Sequence, residues 1–290
     1  MNAFDYYRAV SLAEAFDLMR DKPNYTLLAG GTDLLVKINE KIISPNVVLD
    51  LSLIKDLRGI HLENGQFTLG ALITHTQVMD SEILQKFAPA LVKASSMVGS
   101  PQIRNRGTLG GNICNASPAA DAVPALLALG AEVQLMSEKK VRTVLLENLF
   151  LGPGKTTIAT GEILTRVLFK AQRPNQGSSF QKLGKRKALA ISVVNAAVFI
   201  EIDSKTRTIS EARIALGSVA PTPIRVKRAE NLLLGKILSA ELLKQVRLTV
   251  ASEVKPIDDI RAKAEYRRDV AGELVERAVQ EAWNKASFLG

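Results

Sequence analysis

The pattern of apolar residues changes near Pro174-Asn175-Gln176-Gly177-Ser178-Ser179, and this change constrains the fold of the 290-residue chain more than any other feature. Before this segment, short apolar runs alternate with helical patterns. Beyond it, long strand-like runs are followed by long helical ones. A chain of this length can bury more than one hydrophobic core. We therefore predict a first domain over 1–174, with lobes of about 1–52 and 53–174, and a second domain over 179–290.

Apolar spacing predicts helices and strands in both domains, which indicates the α+β fold class. Ser11 and Glu14 form a capping-box pattern before a helix, and Asn64-Gly65 marks a hairpin turn. For the first domain we predict helices over 11–20, 82–98 and 119–129, a hairpin over 57–71, strands over 25–29, 47–51, 131–136, 141–145 and 162–169, and no regular structure over 101–118. For the second domain we predict strands near 179–183, 190–202 and 207–217, then helices over about 224–235, 239–253 and 266–286. Such an order is typical of an antiparallel sheet covered by helices.

Metal chemistry within the chain is limited by its single cysteine, Cys114, and its two histidines, His61 and His75. A disulfide is excluded, and the soft ligands are too few for an iron–sulfur cluster or a structural zinc site. We predict that Cys114 fills a small buried space. The longest apolar stretch, 188–200, is interrupted by Ser and Asn and is shorter than a membrane helix requires. With no signal-peptide pattern at the N-terminus, the sequence predicts a cytoplasmic protein.

The formal net charge of +9 arises in the second half of the chain. Its densest basic cluster is Lys182-Leu183-Gly184-Lys185-Arg186-Lys187. Aromatic residues make up only 5% of the chain, and no nucleic-acid-binding motif is recognisable. A basic face for an acidic partner or an anionic cofactor is favoured over a nucleic-acid interface.

A first candidate site is Ala29-Gly30-Gly31-Thr32-Asp33, which lies between a strand pattern and a helix pattern. A turn of this kind aims several backbone N–H groups at one point, and its glycines allow a ligand close to the main chain. A diphosphate fits these features. The segment is neither a dinucleotide fingerprint nor a P-loop, and an ordinary strand-to-helix turn remains an alternative.

A second candidate site is the segment from Arg104 to Asp121, which is rich in glycines, amides and hydroxyls and ends in a carboxylate. A long polar loop inside a compact domain is usually functional. This one is suited to wrapping a polar ligand. The alternative is an exposed loop in which Asp121 merely begins a helix.

Together, Leu27-Leu28-Ala29-Gly30-Gly31-Thr32-Asp33-Leu34-Leu35 and Gln102-Ile103-Arg104-Asn105-Arg106-Gly107-Thr108-Leu109-Gly110-Gly111-Asn112 resemble the FAD-binding (medium) subunit of molybdenum hydroxylases of the xanthine dehydrogenase family. That family includes nicotinate and carbon monoxide dehydrogenases, and the resemblance covers nearly the whole chain. It implies a two-lobed FAD-binding domain of the PCMH type, as in vanillyl-alcohol-type oxidases and cell-wall precursor reductases. A smaller domain of antiparallel sheet and helices follows, as in the carbon monoxide dehydrogenase flavoproteins.

The resemblance also implies which residues contact a noncovalent FAD. Those around the diphosphate and ribityl chain are Leu27, Leu28, Ala29, Gly30, Gly31, Thr32 and Asp33. Those completing the pocket are Thr108, Leu109, Gly110, Gly111, Asn112 and Asp121, with Leu164 and Lys182 as further contacts by position. No residue of the chain is implied to be catalytic or to bind a metal.

Two of these residues have alternative roles. Asp33 would repel a diphosphate, so we expect it to cap the helix that starts at Leu34 or to contact ribose hydroxyls. Lys182 could raise the potential of the flavin by stabilising the charge of its reduced ring, or it could belong to the solvated 182–187 run.

The implied partners are a large molybdopterin-binding subunit, which hydroxylates the substrate, and a small subunit with 2Fe–2S clusters. In that arrangement FAD passes electrons to NAD⁺ or another acceptor, within a hetero-oligomer such as a dimer of heterotrimers. A self-sufficient FAD-dependent oxidoreductase of the same fold is the alternative within the fold. A nucleic-acid-binding protein is the alternative outside it. The absence of a cysteine-rich insertion argues against the branch whose flavin subunit holds an extra 4Fe–4S cluster.

Overall fold

A computed structural model of the chain describes residues 3–186 and 189–288, and its first sheet is small and parallel. Its three strands lie in the order β1-β3-β2. The elements of this part are β1 (Asp5–Arg8), α1 (Leu12–Asp21), β2 (Tyr25–Leu28), α2 (Leu34–Asn39) and β3 (Val47–Asp50). The Ser11 hydroxyl accepts a hydrogen bond from the Glu14 N–H and so caps α1. The Glu14 carboxylate accepts from the Val10 N–H rather than from Ser11, so only half of the expected capping box forms.

A five-stranded antiparallel sheet in the order β4-β5-β10-β6-β7 forms the next part of the chain. Its elements are β4 (Ile60–Glu63), β5 (Gln66–Gly70), α3 (His75–Asp80), α4 (Glu82–Phe87), α5 (Pro89–Ser96), α6 (Pro101–Arg106), α7 (Leu109–Cys114), α8 (Ala122–Ala128), β6 (Glu132–Met136), β7 (Val141–Leu145), β8 (Phe150–Gly152), β9 (Lys155–Thr156) and β10 (Ile163–Lys170). The hairpin predicted at Asn64-Gly65 is confirmed, and both residues have the positive φ that its tight turn requires.

Two predictions for this part were wrong. The single helix predicted over 82–98 is two helices, α4 and α5, because Pro89 cannot continue α4 and instead begins α5. The segment 101–118, predicted to lack regular structure, contains the six-residue helices α6 and α7. Their caps, Ser100 and Thr108, each accept a hydrogen bond from a backbone N–H three residues later.

The last part of the chain is a four-stranded antiparallel sheet, in the order β11-β12-β13-β14, covered by helices. Its elements are β11 (Gln176–Gly184), β12 (Ser192–Ile202), β13 (Ile209–Gly217), β14 (Ile224–Arg225), α9 (Lys227–Leu233), α10 (Ala240–Glu253) and α11 (Ala264–Phe288). An antiparallel sheet covered by helices was predicted, but with three strands, and the start of the helix predicted over 224–235 is instead the fourth strand. The segment 174–179, where the pattern of apolar residues changes, is largely strand, since β11 begins at Gln176. Of the predicted basic run 182–187, Lys187 lies outside the described residues.

The second and third sheets share a hydrophobic core. Phe180, Phe199 and Ala215 of the third sheet are buried in the same apolar cluster as α5 and α8. Separate clusters lie under α9–α11 and between α1 and the first sheet. No helix among the described residues has the length and apolar character needed to span a membrane.

Candidate functional site

A cavity of about 340 Å³ lies where the first sheet meets the second. Its walls come from the β2–α2 turn, from Ala71 and Leu72 after β5, from α7, and from the start of β10. Its volume is in the range typical of sites for small molecules and cofactors.

Most of the residues predicted to contact FAD line this cavity. They are Leu27, Ala29, Gly30, Gly31, Thr32, Asp33, Thr108, Gly110, Gly111, Asn112 and Leu164. The other four, Leu28, Leu109, Asp121 and Lys182, are not among its lining residues. Leu109 is fully buried in the core beneath the cavity.

The β2–α2 turn presents backbone donors that the protein itself does not use. Among the described residues, no backbone carbonyl accepts a hydrogen bond from the N–H groups of Gly30, Gly31 or Thr32. Gly31 has a φ of 78°, which a residue with a side chain rarely adopts. Buried or half-buried N–H groups normally find partners, so a row without them fits an anionic ligand such as a diphosphate.

The second motif contributes in a different way, because its backbone donors are already used. The N–H groups of Leu109 and Gly110 donate to the carbonyls of Ile73 and Ala71, at 2.9 and 2.8 Å. The Gly111 N–H donates to the Thr108 hydroxyl. What this motif offers a ligand is side chains, above all the buried Oδ1 of Asn112, which accepts no hydrogen bond. An unpaired buried acceptor is costly and suits a ligand that carries a donor.

The glycines of both motifs bring protein segments together, rather than only admitting a ligand as the sequence suggested. A Cβ added at Gly30 would lie 2.0 Å from the carbonyl oxygen of Arg106. One added at Gly110 would lie 2.7 Å from the Cβ of Ala71. The first and second motifs are therefore in direct backbone contact.

Asp33 does not cap α2 as expected. It occupies the N-cap position, but its side chain makes no capping hydrogen bond and is exposed at the cavity. Its backbone is in the helical region, whereas a capping residue usually adopts an extended conformation. The alternative role, contact with ribose hydroxyls, stays a prediction.

Asp121 and Lys182 form a buried ion pair behind the cavity. Lys182 Nζ donates to Asp121 Oδ2 at 2.6 Å and to the carbonyl of Met97 at 2.9 Å. Ser192 Oγ and Asn195 Nδ2 donate to the other carboxylate oxygen at 2.5 and 2.9 Å. Burial raises the pKa of Asp121, and the ammonium of Lys182 opposes that rise. Lys182 is buried and paired, so it does not belong to a solvated basic run.

The cavity also contains polar residues that sequence reasoning did not assign to it: Lys37, His75, Cys114 and Asn115. His75 is 1% exposed, and its Nδ1 lies 3.4 Å from the Ser95 hydroxyl. Burial, together with the charge of Arg104, lowers the pKa of His75 to about 4. Cys114 is exposed at the cavity, so the prediction that it fills a buried space was wrong. Its place within the second candidate site, the segment from Arg104 to Asp121, could have indicated this position.

Comparisons with known proteins agree along most of the chain. Residues 2–169 match the family described as the FAD-binding domain in molybdopterin dehydrogenase. Residues 179–282 match the C-terminal domain of carbon monoxide dehydrogenase flavoproteins.

Individual relatives match over nearly their full length. The chain is 35% identical to the xanthine dehydrogenase FAD-binding subunit of Escherichia coli O157:H7, covering 96% of this chain and 95% of that one. It is 34% identical to the nicotinate dehydrogenase FAD-subunit of Eubacterium barkeri, covering 93% and 92%. In the solved carbon monoxide dehydrogenase of Hydrogenophaga pseudoflava, one chain superposes with a TM-score of 0.93 at 32% identity, covering 98% of each.

Proposed function

Since this chain belongs to the family of FAD-binding subunits of molybdopterin dehydrogenases, we propose that it relays electrons within a molybdenum hydroxylase complex. Electrons would arrive from 2Fe–2S clusters of a small partner subunit and leave to NAD⁺ or another acceptor. A large molybdopterin-binding subunit would oxidise the organic substrate. The matched subunit of Hydrogenophaga pseudoflava is named a medium chain, which supports an assembly with one larger and one smaller partner.

The observation that carries the proposal is the row of backbone donors without protein acceptors at Gly30, Gly31 and Thr32, together with the unpaired Oδ1 of Asn112, a residue that lines the same cavity. The donors suit the diphosphate of FAD, and the acceptor suits a hydroxyl or ring N–H of the same molecule. Bound FAD would supply redox chemistry that no side chain of this protein provides. The task of the residues is to bind the cofactor, orient it and exclude water.

On this proposal, the predicted contacts other than Leu28 and Leu109, which do not line the cavity, divide into two groups. Those that line the cavity hold FAD directly. Asp121 and Lys182 act from behind the wall, because their ion pair fixes the carbonyl of Met97, next to the lining residue Val98. We also propose that the functional units are 1–174, which binds FAD, and 179–290, which packs against it.

Expression of the full chain tests cofactor binding, and purification from the native source tests the assembly. The isolated chain should bind FAD noncovalently, and the native preparation should contain molybdenum, iron and two partner chains. Substrate oxidation should require those partners. Turnover of an organic substrate by the isolated chain would instead support a self-sufficient flavoenzyme, and failure to bind FAD would contradict the proposal.

A further inference from the structure

Lys37 is the only cationic side chain among the described residues that line the cavity. It lies on α2, one turn after Asp33. The backbone N–H of Lys37 donates a hydrogen bond to the carbonyl of Asp33. The cavity contains one carboxylate, that of Asp33, while His75 is neutral at physiological pH because its pKa is lowered to about 4. The charge balance of the cavity therefore depends on Lys37 and Asp33.

The ammonium of Lys37 is bound by a neutral group. Nζ donates to Oδ1 of Asn115 at 2.6 Å, which joins α2 to the end of α7 across the cavity. Asp33 precedes Lys37 by four residues, a favourable spacing for an ion pair on a helix. Nevertheless, no carboxylate of the described residues lies within 4.0 Å of Nζ. The positive charge is thus held at the cavity without a negative partner.

We propose that Lys37 is the charge partner of the FAD diphosphate, held in place for it by Asn115. The proposal rests on the proposed function and adds a residue to it. An ammonium has three donors, so one can stay with Asn115 while two face phosphate oxygens. The unused N–H groups of the β2–α2 turn supply hydrogen bonds but only partial charge, and a full positive charge beside them adds a Coulombic attraction.

This arrangement also accounts for Asp33. A carboxylate next to a diphosphate is unfavourable unless a cation lies between or beside them. With Lys37 turned toward Asn115 and the cavity, Asp33 remains exposed and free to accept from ribose hydroxyls. The two side chains then contact different parts of the cofactor.

The test compares FAD with riboflavin, which lacks the phosphates, on the full chain freed of flavin. Dissociation constants are measured by fluorescence for the parent protein, Lys37→Met, Lys37→Arg and the charge-matched control Lys244→Met, whose residue is exposed on α10. Lys37→Met should weaken FAD binding by about 10- to 100-fold and leave riboflavin binding within about twofold, since one charge-assisted contact is lost. Lys37→Arg should stay within about fivefold of the parent for FAD, and Lys244→Met should change neither ligand.

A second variant, Asn115→Asp, keeps a hydrogen-bond acceptor for Lys37 but neutralises its charge, and it should weaken FAD binding selectively as well. Raising the salt concentration should weaken FAD binding less in Lys37→Met than in the parent protein.

Equal FAD affinity in Lys37→Met and the parent overturns the inference, as does an equal loss of affinity for FAD and for riboflavin. If the parent protein binds no FAD, both the proposed function and this inference are contradicted. If the parent protein and Lys37→Met bind FAD equally well, the proposed function remains supported and only the inference about Lys37 is contradicted.

Discussion

The Cα of Gly30 lies so close to the carbonyl oxygen of Arg106 that an added Cβ would approach it to 2.0 Å. Gly30 belongs to the turn with the unused N–H groups, and Arg106 immediately precedes the segment that carries Thr108 and Asn112. The two motifs therefore support each other through backbone contact, and the position of one sets the shape of the cavity presented by the other.

Gly30→Ala should accordingly lower both stability and FAD affinity. Backbone atoms cannot move aside as a flexible side chain can, so the free energy of unfolding should fall by roughly 1–3 kcal/mol or more. FAD binding should weaken by at least about tenfold because the N–H row shifts. Gly152→Ala is the matched control, because a Cβ there meets no atom within 4 Å. Urea unfolding and flavin titration of both variants provide the measurement. A Gly30→Ala protein that matches the Gly152→Ala protein in both would contradict the role of this contact.

Removal of the ammonium in Lys182→Met should destabilise the protein strongly at neutral pH. It leaves Asp121 buried with two neutral donors and no cation, a change that typically costs about 3–5 kcal/mol. The loss should shrink at lower pH, because protonated Asp121 needs no cation. Arg277→Met, which breaks an exposed ion pair with Glu273, serves as control and should cost about 0.5 kcal/mol or less.

Lys182→Met also tests the electronic role predicted for Lys182. If its ammonium stabilises the reduced flavin, the reduction potential of bound FAD in Lys182→Met should fall relative to the parent. An unchanged potential in a variant that still binds FAD would leave Lys182 with the structural role alone.

Local patterns predicted the elements whose determinants are near in sequence. The Ser11 cap, the Asn64-Gly65 turn and the strands β6 and β7 depend on neighbouring residues, and each is present. The helices α6 and α7 were missed because glycines and polar residues dominate 101–118. Each helix depends on its cap, and α7 also depends on contacts distant in sequence: its N–H groups donate to Ile73 and Ala71, and Leu109 and Ile113 are buried in the core.

The two sequence motifs were enough to recognise the site. The different role of each motif could not be predicted from the sequence. That the first motif offers backbone donors, while the second uses its own on Ala71 and Ile73, depends on contacts between segments distant in the chain. The pairing of Asp121 with Lys182 and of Lys37 with Asn115 likewise joins residues far apart in sequence. No periodicity or spacing reports such contacts.

His75 should make the protein less stable as the pH falls from about 6.5 to about 4. Burial and the charge of Arg104 lower the pKa of His75 to about 4 in the folded protein. Between pH 6.5 and pH 4, the unfolded chain therefore binds a proton at this residue that the folded chain does not bind. At pH 5 this difference corresponds to about 2 kcal/mol relative to pH 8. The free energy of unfolding should therefore fall less steeply over this range in His75→Gln than in the parent. His61→Gln, which removes the other histidine from an exposed position on β4, should keep the parent slope. Parallel slopes for all three proteins would remove His75 as a source of acid sensitivity.

Cys114, the only cysteine of the chain, should report occupancy of the cavity directly. Cys114 is exposed at the cavity, and desolvation by the protein around it raises the pKa of its thiol to about 12. Alkylation of the flavin-free protein should therefore be slow at pH 7 and faster at pH 9, since the thiolate is the reacting form. Saturating FAD should slow the reaction at least about tenfold at either pH by covering the sulfur. The adduct is followed by intact mass, and Cys114→Ser should show none. An alkylation rate that is the same with and without bound FAD would mean that the flavin does not occupy the cavity beside α7, and would oppose the placement of the cofactor there.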